Sequence, residues 1–181
     1  MFHFHNKTTN TGIVRSFLCC VGDCWLLSAF SVLATKPELM KNVIVRGDTA
    51  KYGFYVLQFH REGRFRRVIV DDRLPHRGSG LSFASSKTNG ELWPAILEKA
   101  YAKQYGSYDV IEGGFVHDGL MELTGGSGFI CKLSNEELLS GGLWKKMMQW
   151  VEAGYLLGAG SPSGSDTDIT AAGIVQGHAY G

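Results

Sequence analysis

The chain has 181 residues, with 18 Lys and Arg against 17 Asp and Glu, a net charge of +1 and 44% apolar residues. That length allows one domain, or two small lobes around a shared cleft, with a real core. The near balance of charge gives no electrostatic case for nucleic acid or an anionic membrane as a partner.

No stretch approaches the run of about 18 apolar residues that a transmembrane helix needs. Met1-Phe-His-Phe-His-Asn6 lacks the basic n-region and apolar h-region of a secretory signal. Three of the four cysteines, Cys19, Cys20 and Cys24, crowd together, with Cys131 far away. That layout suits a reducing, cytoplasmic setting better than a disulfide framework. Twenty-four glycines imply tight turns and close backbone approaches rather than a helical bundle.

In chain order, residues 1–21 carry little periodic pattern. Asp23, a good N-cap, precedes the unbroken apolar run Cys24–Ala34, which predicts a buried helix. Thr35-Lys-Pro-Glu38 reads as a capping box that starts a second helix to about Val43. Tyr52–Phe59 and Arg64–Asp71 are rich in β-branched and aromatic residues, and Glu62-Gly63 between them predicts a hairpin. Arg61, Arg64, Arg66 and Arg67 could suggest a polyanion site, but they read as the wet face of a strand. Pro75 to Lys87 is a loop by its Gly, Ser and Pro content.

Trp93, Ile96, Leu97, Ala100, Tyr101 and Tyr105 recur at helical spacing over 92–105, with Gly106 as the stop. A short helix over 116–123 ends at Gly125-Gly126. Ser134-Asn-Glu-Glu137 is a second capping box, opening a helix that runs to Glu152. Tyr155–Gly160 and Gly173–Tyr180 read as strands, with a polar loop between them.

Cysteine chemistry needs a thiolate. Cys24 lies in the first turn of a predicted helix, where unpaired N–H groups and the helix dipole favour an anion. A buried structural thiol is the competing reading of any single cysteine. His178 follows a glycine in a strand-like segment far downstream, the arrangement in which papain-like enzymes bring a base to a cysteine in space.

Gly22-Asp-Cys-Trp-Leu-Leu27 resembles the catalytic core of the calpain family of cysteine proteases. So do Val70-Asp-Asp-Arg-Leu-Pro75, Glu91-Leu-Trp-Pro-Ala-Ile-Leu-Glu-Lys-Ala-Tyr-Ala-Lys103, Gly106-Ser-Tyr108, Gly113-Gly114, Thr124-Gly-Gly126 and Gly177-His-Ala-Tyr180. The segments are collinear from about Gly22 to Gly181.

The resemblance implies an α+β, papain-like fold in three parts. Residues 1–21 match poorly, 22–126 form a helix-rich first lobe, and 127–181 form an incomplete β-rich second lobe. It implies limited endoproteolysis of intracellular protein substrates, with Cys24 as nucleophile, His178 as base and no organic cofactor. Many relatives need calcium.

The same resemblance exposes departures. The family's oxyanion-hole glutamine falls at Leu18, which cannot donate a hydrogen bond. Losing one such donor costs about 10²–10³ in rate, and the Cys24 backbone N–H is the remaining contributor. The orienting asparagine lies beyond the chain end, so the imidazole lacks that partner. Glu91 aligns with a calcium-binding carboxylate, but its partner position is Arg15, which opposes a divalent cation. No EF-hand pattern is present.

These departures motivate a catalytically inactive calpain-like binding or scaffold protein as the alternative. A zinc site from His3, His5, Cys19, Cys20 and Cys24 would ignore the rest of the match. Another Cys–His enzyme, such as an acyl- or transglutaminyl-transferase, would share the nucleophile logic but not the collinear segments.

Overall fold

In a computed structural model, residues 22–181 are described apart from 79, 87–89 and 166. The fold is α+β: helices on small antiparallel sheets. Helix α1 (Cys24–Ala34) lies at the centre, because its residues are apolar on nearly every side. Leu26, Ala29, Phe30 and Leu33 are fully enclosed. Burying side chains of this size contributes about 1.5–3 kcal/mol each.

Asp23 occupies the N-cap position, as its residue type predicts, but its side chain makes no capping bond. Helix α2 (Pro37–Val43) starts at Pro37, also without a side-chain cap. The predicted box at Thr35 does not form, because the Thr35 hydroxyl donates to the Val32 carbonyl and closes α1 instead.

The hairpin forms as predicted. Strand β2 (Phe54–Arg61) pairs with β3 (Arg64–Asp71) in unbroken antiparallel register from Phe54↔Asp71 to Arg61↔Arg64. Glu62 (φ 52°) and Gly63 (φ 76°) both take left-handed backbone, the pattern of the tight turn that matches strand twist. A third strand, β1 (Ile44–Arg46), joins the open edge of β2 and is not evident in the sequence. Of the four arginines, Arg64 and Arg67 are exposed on β3. Arg66 pairs with Glu62, and Arg61 lies over the Tyr105 ring. The predicted loop after Pro75 contains a two-residue ladder, β4 (His76–Arg77) with β5 (Gly80–Leu81).

Helix α3 (Trp93–Tyr105) ends at Gly106, and α4 (Val116–Thr124) ends at Gly125 in left-handed backbone. The α1, α3, α4 and β2 faces meet in one core, with Phe59 and Trp25 both edge-on to Tyr101.

Half of the capping box at Ser134 forms: the Ser134 hydroxyl oxygen accepts the Glu137 N–H at 3.2 Å, while the Glu137 carboxylate accepts from that hydroxyl rather than from the Ser134 N–H. The helix it opens is short, however. It breaks at Ser140-Gly141, where Gly141 has φ 70°, into α5 (Asn135–Leu139) and α6 (Gly142–Glu152). The two predicted late strands shrink to β6 (Ala159–Gly160) and β7 (Ala179–Tyr180), plus a single bridge from Ile169 to Val175. The intervening residues bond in turns, such as Gly173 N to Thr170 O, rather than in a ladder.

The described core cluster is drawn from residues 25–123. The later segment meets it through Leu156 and Ala179, which pack against the core. Gly158 lies so close to Val116 that a Cβ there would sit 2.5 Å from its Cγ1.

Candidate active site

Cys24 opens α1 and is half-buried, with its thiol free. The turn before it is held by backbone bonds: Leu26 N and Leu27 N donate to Asp23 O, and Gly113 N donates to Gly22 O. The next residue, Trp25, is buried, and its indole N–H donates to the Ile111 carbonyl at 3.0 Å. Gly114 packs flat on that ring. A Cβ there would come within 2.6 Å of Trp25 Cδ2, so this position accepts no larger residue without displacing the indole. Together these contacts fix the helix that Cys24 opens from its first residue.

His178 immediately precedes β7. Its backbone is clasped by Ser161, whose hydroxyl accepts the His178 N–H at 2.9 Å and donates to the His178 carbonyl at 3.1 Å. Its ring lies edge-on to Tyr180 at 4.9 Å. The Tyr180 hydroxyl in turn accepts the Val175 N–H.

The tie between the two halves is Ser28, one turn after Cys24 on α1. Its hydroxyl donates to the Ala179 carbonyl at 2.9 Å, across 151 positions of sequence. β7 therefore packs on α1, and the residue beside His178 is anchored one helical turn from Cys24. Neither Ser28 nor Ser161 is singled out by the sequence. Their signal is only that of small hydroxyl residues next to the Cys and His segments.

Asp23 and Glu98 form a second feature that sequence reasoning missed. Both are buried, and their carboxyl groups hydrogen-bond each other. Burial, with the charge of Asp23 beside it, pushes the Glu98 carboxyl up to about 10. Burial also raises Asp23 above its ordinary value, against the hydrogen bond from Glu98. Glu98 Oε2 accepts the Ala84 N–H at 3.0 Å.

Glu91 is half-buried and accepts the Ser86 hydroxyl at Oε2. Among the described residues, no three His, Cys, Asp or Glu side chains gather as a metal cluster. Leu18, Arg15, Cys19, Cys20, His3 and His5 lie outside the described residues. Among the described residues, no helix is long and apolar enough to cross a membrane.

The model of the family described as "Calpain family cysteine protease" matches residues 3–181. The chain belongs to the calpain family. This calpain-family chain is 45% identical over 178 residues to "Calpain-type cysteine protease ADL1" of Oryza sativa, covering 94% of the chain and 8% of the relative. It is 36% identical over 163 residues to human "Calpain-12", covering 88% of the chain and 22% of the relative. It is 35% identical over 177 residues to the "Calpain-2 catalytic subunit" of Gallus gallus, covering 93% of the chain and 25% of the relative. The chain thus spans a quarter or less of these calpains.

Proposed function

We propose that this chain is the catalytic core of an intracellular calpain-type cysteine endopeptidase, with Cys24 as nucleophile and His178 as base. The observation that carries this reading is the Ser28–Ala179 hydrogen bond, which seats the His178 strand on the helix that Cys24 opens.

In the reaction, His178 takes the Cys24 proton, giving a thiolate–imidazolium pair at the N-terminus of α1. The thiolate adds to the scissile carbonyl carbon. The carbonyl oxygen takes the negative charge and is met by the Cys24 backbone N–H. The C–N bond then breaks, the amine leaves with the His178 proton, and a thioester remains on Cys24. Water, losing a proton to His178, attacks the thioester, releases the carboxylic acid product and restores the pair. Leu18 in place of a glutamine leaves this oxyanion hole one donor short, which slows the chain by about 10²–10³. Protein substrates with an extended segment fit such a cleft. In this reading the cleft lies between a first lobe to Gly126 and a second lobe from residue 127.

Calcium in this reading would rest on Glu91 as a single carboxylate, with backbone carbonyls and water supplying the rest. Ca²⁺ takes about six to eight oxygens, and one oxygen of Glu91 already accepts from Ser86. That donor set is a poor cage, and no step of the reaction runs through the ion.

Alkylation by iodoacetamide near neutral pH tests the assignment. Cys24 should react much faster than Cys19, Cys20 or Cys131, and His178→Ala should remove the difference. Slow, uniform labelling of all four cysteines would instead support the inactive scaffold, which the leucine at position 18 favours.

A further inference from the structure

Asp23 and Glu98 lie against the Cys24 site without a part in the chemistry above. They are 3% and 1% exposed, respectively, and hydrogen-bonded to each other. Two ionised carboxylates cannot share a hydrogen bond, since neither has a proton to give, and their repulsion away from water is large. One proton therefore lies between them. Glu98 is also gripped by the Ala84 N–H, while Asp23 Oδ2 has no hydrogen-bond partner. Among the described residues, Tyr108, from the turn after α3, also faces the pair, and burial together with the two neighbouring carboxyl groups raises its hydroxyl above the ordinary value. No lysine or arginine acts on either carboxyl among the described residues.

The placement of Asp23 gives this pair its meaning. An aspartate at an N-cap ordinarily turns its carboxylate onto the N–H groups of the first helical turn. Asp23 has the position but makes no such bond, and its carboxyl faces Glu98 instead. The N-terminal pole of α1, which favours an anion, is left without a capping carboxylate at the residue that bears the thiol.

We propose that Glu98 is a positioning residue: its proton holds the Asp23 carboxylate off the first turn of α1, so that the helix N-terminus is reserved for the Cys24 thiolate. This rests on Cys24 being the nucleophile.

The test is the pH dependence of Cys24 alkylation by iodoacetamide, with Cys131 in the same chain as the internal reference. In Glu98→Leu, the freed Asp23 carboxylate competes for the helix N-terminus. The Cys24 profile should move up by about one pH unit, so that its rate near neutrality falls ~10-fold. Glu98→Gln, which keeps a donor for Asp23, should retain the wild-type profile. Asp23→Asn combined with Glu98→Leu should recover it, since the competing charge is gone. A purely structural role predicts no such recovery. An unshifted Glu98→Leu profile, or a shift that Asp23→Asn does not relieve, overturns the proposal.

Should Glu98→Leu fail to fold, infrared spectroscopy decides. The wild type should show the carbonyl stretch of a protonated, buried carboxylic acid near neutral pH, and Glu98→Gln should lose it. Absence of that band from the wild type overturns the proposal. A wild type with the band, but with Cys24 no more reactive than Cys131, would sink the nucleophile assignment while leaving the carboxyl pair intact.

Discussion

The Ser28 hydroxyl donates to the Ala179 carbonyl at 2.9 Å, joining a residue one turn after Cys24 to the residue beside His178. Ser28 is buried and the bond is partly so, which limits competition from water. The bond is a contact through which the late, mostly exposed part of the chain is held to the early core.

Ser28→Ala should therefore do two things. Stability in urea should fall by about 1–3 kcal/mol, since the Ala179 carbonyl loses its donor in a partly buried place. Cys24 alkylation should also lose part of its advantage over Cys131, because the strand next to His178 is no longer pinned. A stability loss without any change in Cys24 reactivity would mean that His178 is positioned by other contacts.

Gly114→Ala tests the close approach to Trp25. The added Cβ would fall 2.6 Å from Trp25 Cδ2, so the indole must move and strain or break its bond to the Ile111 carbonyl. Overpacking of this kind typically costs about 1–3 kcal/mol. The urea midpoint should drop accordingly, with a shift in tryptophan emission. A variant as stable as the wild type would show that the loop carrying Gly114 yields freely.

The Asp23–Glu98 pair predicts how stability depends on pH. The Glu98 carboxyl is held at about 10 in the folded chain, against an ordinary value of 4.5. Between those values, the folded state keeps a proton that the unfolded state has lost. The contribution of Glu98 to stability is thus fully present below 4.5 and is lost as pH rises toward 10. Asp23, also raised, acts in the same direction. Glu98→Gln has no proton to lose, so its melting temperature should gain on the wild type as pH rises from about 5 to about 9. A constant difference between the two across that range would mean that Glu98 is ionised in the folded chain.

Calcium should stabilise this chain little. With Glu91 as the one carboxylate, the gain at millimolar calcium should stay below about 0.4 kcal/mol, the value for a site half filled. Thermal melts with calcium and with a chelator measure it. A larger gain that disappears in Glu91→Ala would establish Glu91 as a ligand.

The elements that the sequence specified well are those whose information is local. The apolar run from Cys24 to Ala34, the 3.6-residue spacing over 93–105 and the Glu62-Gly63 turn each contain their own geometry, and α1, α3 and the β2–β3 hairpin follow them closely. The collinear segments around Cys24 and His178 likewise identified the calpain family from the chain alone, as the match over residues 3–181 bears out. What failed were elements whose partners are distant or whose breaks are single residues. β1 exists because β2 offers it an edge, and one left-handed glycine, Gly141, splits the helix expected to run from Ser134 to Glu152.

Tertiary structure alone decided how the site is assembled. Ser28 meets Ala179 across 151 positions, and Ser161 clasps His178 across 17. Asp23 makes no capping bond, and its carboxyl faces Glu98, which comes from another helix. Hydroxyl and carboxyl side chains carry no periodic signal of what they will face, and a buried carboxylate next to an ordinary N-cap looks like two unrelated surface residues until the chain folds. The sequence by itself determined which residue is the candidate nucleophile and which helix it opens. Packing determined which groups surround it, because desolvation and hydrogen bonding act between residues that only the fold makes neighbours.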